Sequence, residues 1–249
     1  MIVVKSPHEI DLMRKGGSIL AMVLHEVVAK AQSGVALTDL DAFAEQRLRS
    51  SGGEPAFKNY HGYPASLCIS VNNEVVHGIP RAGRVLAEGD IVGFDLGLRY
   101  RGFCTDMAQT VGIGKISKLG ERLIIVTQKS LQEGLEAVKA GNRIGDIGSR
   151  VQAYVEKNDF QVVRSLVGHG VGRDIHEDPA VPNFGEKGTG EKLVPGMTLA
   201  IEPMVTVGDY AVRVLDDKWT VVTEDGSLSA HVERTIVVTE KGYELITPW

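Results

Sequence analysis

The sequence predicts an α+β fold, two similar halves with helices outside a curved, mainly antiparallel sheet. Three observations predict it. The order helix, helix, strands runs twice along the 249 residues. Two stretches set 107 residues apart read alike, Val85-Leu-Ala-Glu-Gly-Asp-Ile-Val-Gly-Phe-Asp-Leu-Gly97 and Lys192-Leu-Val-Pro-Gly-Met-Thr-Leu-Ala-Ile-Glu-Pro-Met204, so that Leu86, Gly89 and Asp95 fall on Leu193, Gly196 and Glu202. The same offset aligns Gly34, Leu37, Asp39 and Leu40 with Gly141, Ile144, Asp146 and Ile147. One offset serving helices and strands implies an internal duplication, about 1–112 and 113–249, and because no low-complexity linker divides the chain a single domain over residues 1–249 is expected. Only two copies are present, so the chain is not a solenoid.

The elements follow in order. Ser6-Pro-His-Glu9 is a capping box with proline at the first helical position, and Ile10, Met13, Ile19, Leu20, Val23 and Val27 continue at helical spacing to a stop near Gly34. Thr38 is the expected cap of a second helix, which carries Leu40, Phe43 and Leu48 inward to about Arg49 before Ser51-Gly-Gly53 stops it. Ser117 opens a third helix closed near Gly141, and Asp146 begins a fourth that reaches about Lys157. Strand-rich stretches lie at 66–76, 90–98, 103–112, 198–207, 211–215, 219–223 and 231–239.

Composition narrows the function. A chain that is 43% hydrophobic can bury a sizeable core, and without an apolar run of about 18 residues no membrane span is expected. The N-terminus lacks a charged-then-apolar signal pattern, and Cys68 and Cys104 are too few for a disulfide framework, so a reduced, cytoplasmic protein is expected. A net charge of −5 with dispersed basic residues argues against a dedicated nucleic-acid surface.

The chemistry sits in carboxylates placed among strand formers. A lone carboxylate in an apolar strand is costly to bury unless a cation or donor meets it, and Asp95 and Glu202 occupy equivalent repeat positions. If Tyr100-Arg101 forms a hairpin loop, Asp95 and Asp106 face each other directly, which leaves a shared cation or a solvated acidic pair as alternatives. His169, between Gly168 and Gly170, reads by itself more readily as an incidental histidine of a flexible loop than as a ligand. Glu233 is another single carboxylate among strand residues. Asp95, Asp106, His169, Glu202 and Glu233 together suit two hard or borderline divalent ions about 3.5–4 Å apart that hold a bridging hydroxide as nucleophile.

In these residues and their local sequence the whole chain resembles the type I methionine aminopeptidases, in their bacterial form, of the pita-bread metallopeptidase fold. The resemblance implies that Asp95 chelates one metal, Asp106 and Glu233 bridge both, and His169 and Glu202 complete the other. It implies that His77, in Val-Val-His-Gly-Ile-Pro80, hydrogen-bonds near the scissile nitrogen, that His176 polarises the amide carbonyl, and that Glu202 shuttles the proton. The methionine pocket would comprise Tyr60, Tyr63, Cys68 and Trp219, together with Phe57 and His61, a setting that suits a flexible thioether. Ile175 stands where some members have phenylalanine and His231 where some have glutamine; Asn72 and Val75 stand where some bind a monovalent cation. The implied activity is removal of the initiator methionine from nascent chains whose second residue is small. Two cobalt, manganese, iron or zinc ions would serve as cofactors, the protein would be a monomer, and it would associate transiently with the ribosome.

Two alternatives remain at this point. X-Pro dipeptidases and aminopeptidases share the fold but usually carry a further N-terminal domain, whereas this chain begins at the first repeat helix. A non-catalytic peptide-binding relative would have no need of all five ligands and both histidines. A type II member would carry a long helical insertion after its ligand histidine, and only 33 positions separate His169 from Glu202.

Overall fold

The computed structural model describes residues 2–248; Met1 and Trp249, the two ends of the expected 1–249 span, lie outside the described residues. Helix α1 (Pro7–Lys30) starts where the capping box places it: the Ser6 side chain accepts from the Glu9 N–H, and Glu9 reaches back to the Ser6 N–H at 2.9 Å. Helix α2 (Leu37–Ser50) begins one residue before the expected cap, so Thr38 lies inside its first turn. The reason is long-range. The Leu37 N–H donates to the Arg84 carbonyl at 3.0 Å, and a partner from a distant loop thereby replaces a side-chain cap.

Helix α3 (Lys118–Leu135) opens on Ser117 as expected, with the Gly120 N–H donating to its hydroxyl at 3.1 Å. It ends at Leu135, short of Gly141, because 137–138 continue as tight turns that drop Ala137 and Val138 into the core. Helix α4 (Ile144–Lys157) starts two residues before Asp146, which sits in its first turn and accepts from the Arg143 N–H at 2.7 Å. Among the described residues, no helix is long and apolar enough to cross a membrane.

Among the described residues the largest sheet has nine strands, and all its pairings are antiparallel. Its path runs Glu54–Pro55, Ile91–Tyr100, Phe103–Gly112, Glu233–Val238, Thr198–Ile201, Gly168–Gly170, Glu177–Val181, with Leu67–Val71 and Tyr243–Leu245 pairing beside it. Alternation along the strands separates its two faces. Phe94, Leu96, Leu98 and Met107 pack with residues of α1 and α2, and Leu199, Ile201, Ile236 and Val238 pack with residues of α3 and α4. The residues between them, Asp95, Asp106, Ala200 and Thr235 among others, therefore face away from the helices.

Several expected strands are broken in two. The 66–76 stretch divides at a turn where Asn72 takes φ 60°, giving Leu67–Val71 and Glu74–Val76. The 198–207 stretch divides at Glu202-Pro203, since proline cannot donate to a ladder, and its continuation Met204–Thr206 joins a small sheet with Ser229–His231 and Gln161–Val162. A second small sheet joins Val212–Val214, Val221–Thr223 and Glu74–Val76. Strand interiors at 168–170 and 177–181, rich in glycine or polar residues, carry little periodicity and were not expected as strands.

Backbone contacts recur at the 107-residue offset. Ala36 bridges Val85 as Arg143 bridges Lys192, and the Gly34 N–H donates to Leu86 at 2.7 Å as that of Gly141 does to Leu193 at 3.0 Å. Each half thus ties the entry of its second helix to the segment that leads into a carboxylate-bearing strand.

Helix α1 lies so close to the C-terminal segment that a Cβ on Gly17 would run into the Ile246 carbonyl. Replacing glycine by alanine inside a helix gains about 1 kcal/mol in propensity, but forcing a methyl into packed backbone costs about 1–3 kcal/mol. Gly17→Ala is therefore expected to lower the urea midpoint of unfolding. An unchanged or raised midpoint contradicts this packing.

Candidate active site

Sheet register assembles the site. Cys68, Asp95, Ala108 and Glu233 form one row across four adjacent strands, because Cys68 pairs with Asp95, Asp95 with Ala108, and Ala108 with Glu233. Paired residues point to the same face, and Asp106, two residues from Ala108, shares it. His169 pairs with Ala200, which pairs with Thr235, two residues beyond Glu233. Glu202 lies two residues beyond Ala200. All five acidic and imidazole candidates thus reach one face, with the small side chain of Ala108 between Asp95 and Glu233.

The hairpin differs from expectation. Its loop is Arg101-Gly102, both at positive φ (51° and 86°), as a type I′ turn requires, and Tyr100 pairs with Phe103. Asp95 faces Ala108 and Asp106 faces Gly97, so the two aspartates are diagonal rather than direct neighbours. The glycine at the second loop position was the signal for this register. Because pairing sums shift by two, both side chains stay on the same face.

His169 is also not in a flexible loop. It stands in a strand, and its flanking glycines are packing positions: a Cβ on Gly168 would meet the Ala200 carbonyl, and one on Gly170 that of Asp178. The His169 Nδ1 lies 2.9 Å from the Gly170 carbonyl, which turns Nε2 toward the carboxylates, 3.5 Å from Glu202 Oε1 and 4.0 Å from Asp106 Oδ2.

The electrostatics of this face are unfavourable without a cation. Burial, then the neighbouring Asp95 and Glu202, push the Asp106 carboxyl well above the usual range; burial, then Asp106, Glu202 and Asp95, do the same to Glu233. Asp95 is raised to about 7, chiefly by burial. For Glu202 burial also acts upward, but the His231 ring 3.4 Å away and the imidazoles of His169 and His77 outweigh it and leave the carboxyl lowered. Asp95 Oδ1 and Glu233 Oε1 are buried with no hydrogen-bond partner among the described residues. Asp106, His169 and Glu233 each offer a ligand atom, all within 4.8 Å of one another. Unpartnered buried carboxylate oxygens beside an imidazole nitrogen are a donor set that fits divalent metal ions.

Next to this face opens a cleft of about 390 Å³. Its walls include all five candidates, together with His77, His176, Tyr60, Tyr63, Cys68, Phe57 and Trp219. Tyr63 and Trp219 meet edge to face at 5.1 Å, and His77 meets Trp219 at 6.2 Å. Cys68, opposite Asp95 in the ladder, keeps its proton because burial and Asp95 raise its pKa. His61 lies outside the wall, edge-on to Tyr60 at 4.3 Å, and Ile175 is buried among the residues behind the pocket. Burial lowers the pKa of His77, and the packing around His176, followed by the adjacent His169, lowers that ring to about 4. The Asn72 carbonyl accepts from the Ser229 N–H at 2.9 Å.

Several contributors escaped sequence reasoning. Met204, Val76 and Leu166 complete the apolar wall, and Met204 was accessible from its position two residues beyond Glu202. The His231 Nε2 stands 3.4 Å from Glu202 Oε2. Lys5, buried, contacts Glu177 at 2.5 Å, while the Glu177 carboxylate also accepts from the Asp174 N–H at 3.2 Å, so the N-terminal segment grips the loop that carries His176. Arg81 pairs with Asp217, which caps the turn at Trp219 and ties it to the segment after His77. The Lys5–Glu177 and Arg81–Asp217 partners are separated by more than a hundred residues, and local sequence gives no sign of them.

Residues 11–240 match the model of metallopeptidase family M24. The chain is 51% identical over 247 residues to the methionine aminopeptidase of Clostridium perfringens, covering 99% of both chains. It superposes on the crystal structure of a methionine aminopeptidase from Thermotoga maritima with a TM-score of 0.98 at 45% identity, each chain covered in full. A prolidase from Pyrococcus furiosus matches with a TM-score of 0.80 at 21% identity over 99% of this chain and 66% of that one, which shows a common fold alone. The α+β pita-bread architecture expected from the sequence is the one these structures share.

The raised carboxyls set a pH dependence. A carboxyl whose folded pKa lies above its unfolded value of about 4 holds more protons when folded, so it costs stability as pH rises through and beyond that value. His77 and His176, both lowered, act in the opposite direction, but their contribution is complete above the normal imidazole value of about 6.5. From pH ~6.5 to ~8 the carboxyls decide the slope. The thermal midpoint of the metal-stripped protein is expected to fall over that window and to hold steady with saturating manganese. A flat profile for the stripped protein contradicts the electrostatics described.

Proposed function

The chain belongs to metallopeptidase family M24, and on that footing we propose that it is a methionine aminopeptidase of the bacterial type I form, acting on peptide N-termini whose second residue is small. The observation that carries the reading is the contact, through the Cys68–Asp95 pairing, between an aromatic, thiol-lined pocket and the carboxylate face. A methionine side chain held against Tyr63, Cys68 and Trp219 would bring its own amino group and carbonyl to that face.

Asp95, Asp106, His169, Glu202 and Glu233 would hold two divalent ions. Four carboxylates in one place support two divalent charges over one. Cobalt, manganese, iron and zinc all suit the donor set. When bound, such ions supply Lewis acidity that polarises the scissile carbonyl and makes water a nucleophile near neutral pH.

The chain's own groups would do the rest. His176, neutral at working pH, would donate a hydrogen bond to the carbonyl oxygen as negative charge develops there. Glu202, kept ionised by His231 and its neighbours, would take the proton from water and pass it to the leaving amine. His77, at the edge of Trp219, would meet the scissile nitrogen and crowd the second side chain. A large second residue would then displace the amide from its attacking position, where small misplacements cost large factors in rate.

A newly made N-terminus as substrate supports a cytoplasmic location, a monomer free to reach it, and transient contact with the ribosome. The backbone contacts repeated at the 107-residue offset support one domain of two duplicated halves, about 1–112 and 113–249, with the site where they meet.

Cleavage of Met-Ala-Ser, Met-Leu-Ser and Ala-Pro-Ala under saturating manganese tests the reading. The expected order has Met-Ala-Ser at least about 100-fold above Met-Leu-Ser in kcat/KM, with no turnover of Ala-Pro-Ala. A preference for Ala-Pro-Ala would transfer the chain to the proline-directed peptidases, and equal cleavage of the first two would refute the crowding by His77.

A further inference from the structure

We propose that Tyr60 is a positioning residue, whose hydroxyl donates to Nδ1 of His176 and thereby fixes the imidazole proton on Nε2. The two atoms are 2.9 Å apart, and the rings approach at 5.2 Å with a 41° tilt. This rests on the reading of His176 as the donor to the scissile carbonyl, and it assigns to Tyr60 a task beyond lining the methionine pocket.

The direction of the hydrogen bond follows from counting donors and acceptors. A neutral imidazole has one N–H and one bare nitrogen, so the partner of one nitrogen decides the state of the other. If His176 donated from Nδ1, the Tyr60 oxygen would accept and its own O–H would be left to solvent, since no described residue accepts from it. If the phenol donates, both groups are satisfied, and the remaining N–H is at Nε2. Burial first, then Asp174 and Cys104, raises the pKa of the phenol, so the proton it donates is retained throughout the working range.

Tyr60 is itself held by local backbone. The short 3₁₀ turn Tyr60–Gly62 is closed by the Tyr60 N–H donating to Phe57 and the Tyr63 N–H donating to Tyr60, both at 2.9 Å. His61, in the left-handed region at φ 47°, packs its ring against the edge of Tyr60. On the other side, the Lys5–Glu177 pair fixes the residue next to His176. Phenol and imidazole are thus each anchored independently, as a bond that selects a tautomer requires.

Nitrogen chemical shifts of ¹⁵N-histidine-labelled, zinc-loaded protein read the tautomer directly, with His176 assigned by its loss in His176→Gln. The wild type is expected to show a protonated Nε2 and a bare, hydrogen-bonded Nδ1. Tyr60→Phe, which keeps the aromatic wall, should shift the Nδ1 resonance and lower kcat on Met-Ala-Ser about tenfold at unchanged KM. A wild-type ring protonated at Nδ1, an Nδ1 resonance indifferent to Tyr60→Phe, or a raised KM at unchanged kcat would each overturn the proposal. The shifts are readable whether or not peptides are cleaved, so an inactive wild type with an Nε2–H ring would retire the peptidase reading and sustain this one.

Discussion

The structure turns on the repulsion among carboxylates that share one face of a buried sheet. Asp95, Asp106 and Glu233 are nine-tenths or more buried, and Glu202 completes the group. Taking a single carboxylate out of water without a partner costs several kcal/mol, and here Asp95 and Glu202 also raise the pKa of Asp106 and Glu233. A fold whose net stability is about 5–15 kcal/mol cannot carry this arrangement ionised and uncompensated. Divalent cations reverse the sign of the problem, because the oxygen atoms that repel one another become a ligand set. The strands on either side commit to that outcome: Ala108 leaves space, the glycines beside His169 let strands close in, and the opposite face is sealed by the helices.

The same row explains why recognition and chemistry are adjacent. Cys68 sits one strand from Asp95, so the floor of the apolar pocket becomes the wall of the charged face without an intervening loop. Around this floor the mobile parts of a cleft are pinned by long-range pairs, Lys5 with Glu177 beneath the His176 loop and Arg81 with Asp217 between the His77 and Trp219 segments. A rigid sheet fixes the acidic groups to within side-chain rotamers, and loops clamped at their ends supply the neutral imidazoles. This is the division expected where reacting groups must be placed more finely than a free loop permits.

How much of this was legible in the sequence depended on whether the determining interaction was local. The α1 start was legible because the Ser6–Glu9 box is complete within four residues. The starts of α2 and α4 were misplaced by one or two residues because the Leu37 and Ile144 N–H groups are met by the Arg84 and Glu191 carbonyls, partners that no neighbouring residue announces. The hairpin register was misread although Gly102 carried the information, since a type I′ turn favours glycine at its second central position. The break at Glu202-Pro203 was likewise written in the proline. The strand holding His169 was not, because glycines chosen for close packing look like those chosen for flexibility. Of the thirteen residues expected at the site from the sequence and its resemblance to a known family, twelve line the cleft and His61 does not; the long-range ion pairs and the hydroxyl–imidazole contact of Tyr60 required three dimensions.

Protons and metal ions compete for these carboxylates. A direct measurement is the proton release when manganese is added to the metal-free chain at pH 6.5, followed by pH-stat in weakly buffered solution. With Asp95 raised to about 7 and Asp106 and Glu233 pushed well above the usual carboxylate range by burial and by their neighbours, saturating metal is expected to expel at least about one proton per chain, and fewer as the pH is raised. Tight binding of manganese without proton release would contradict the account, since the carboxylates would then have been ionised, and tolerated as such, before the metal arrived.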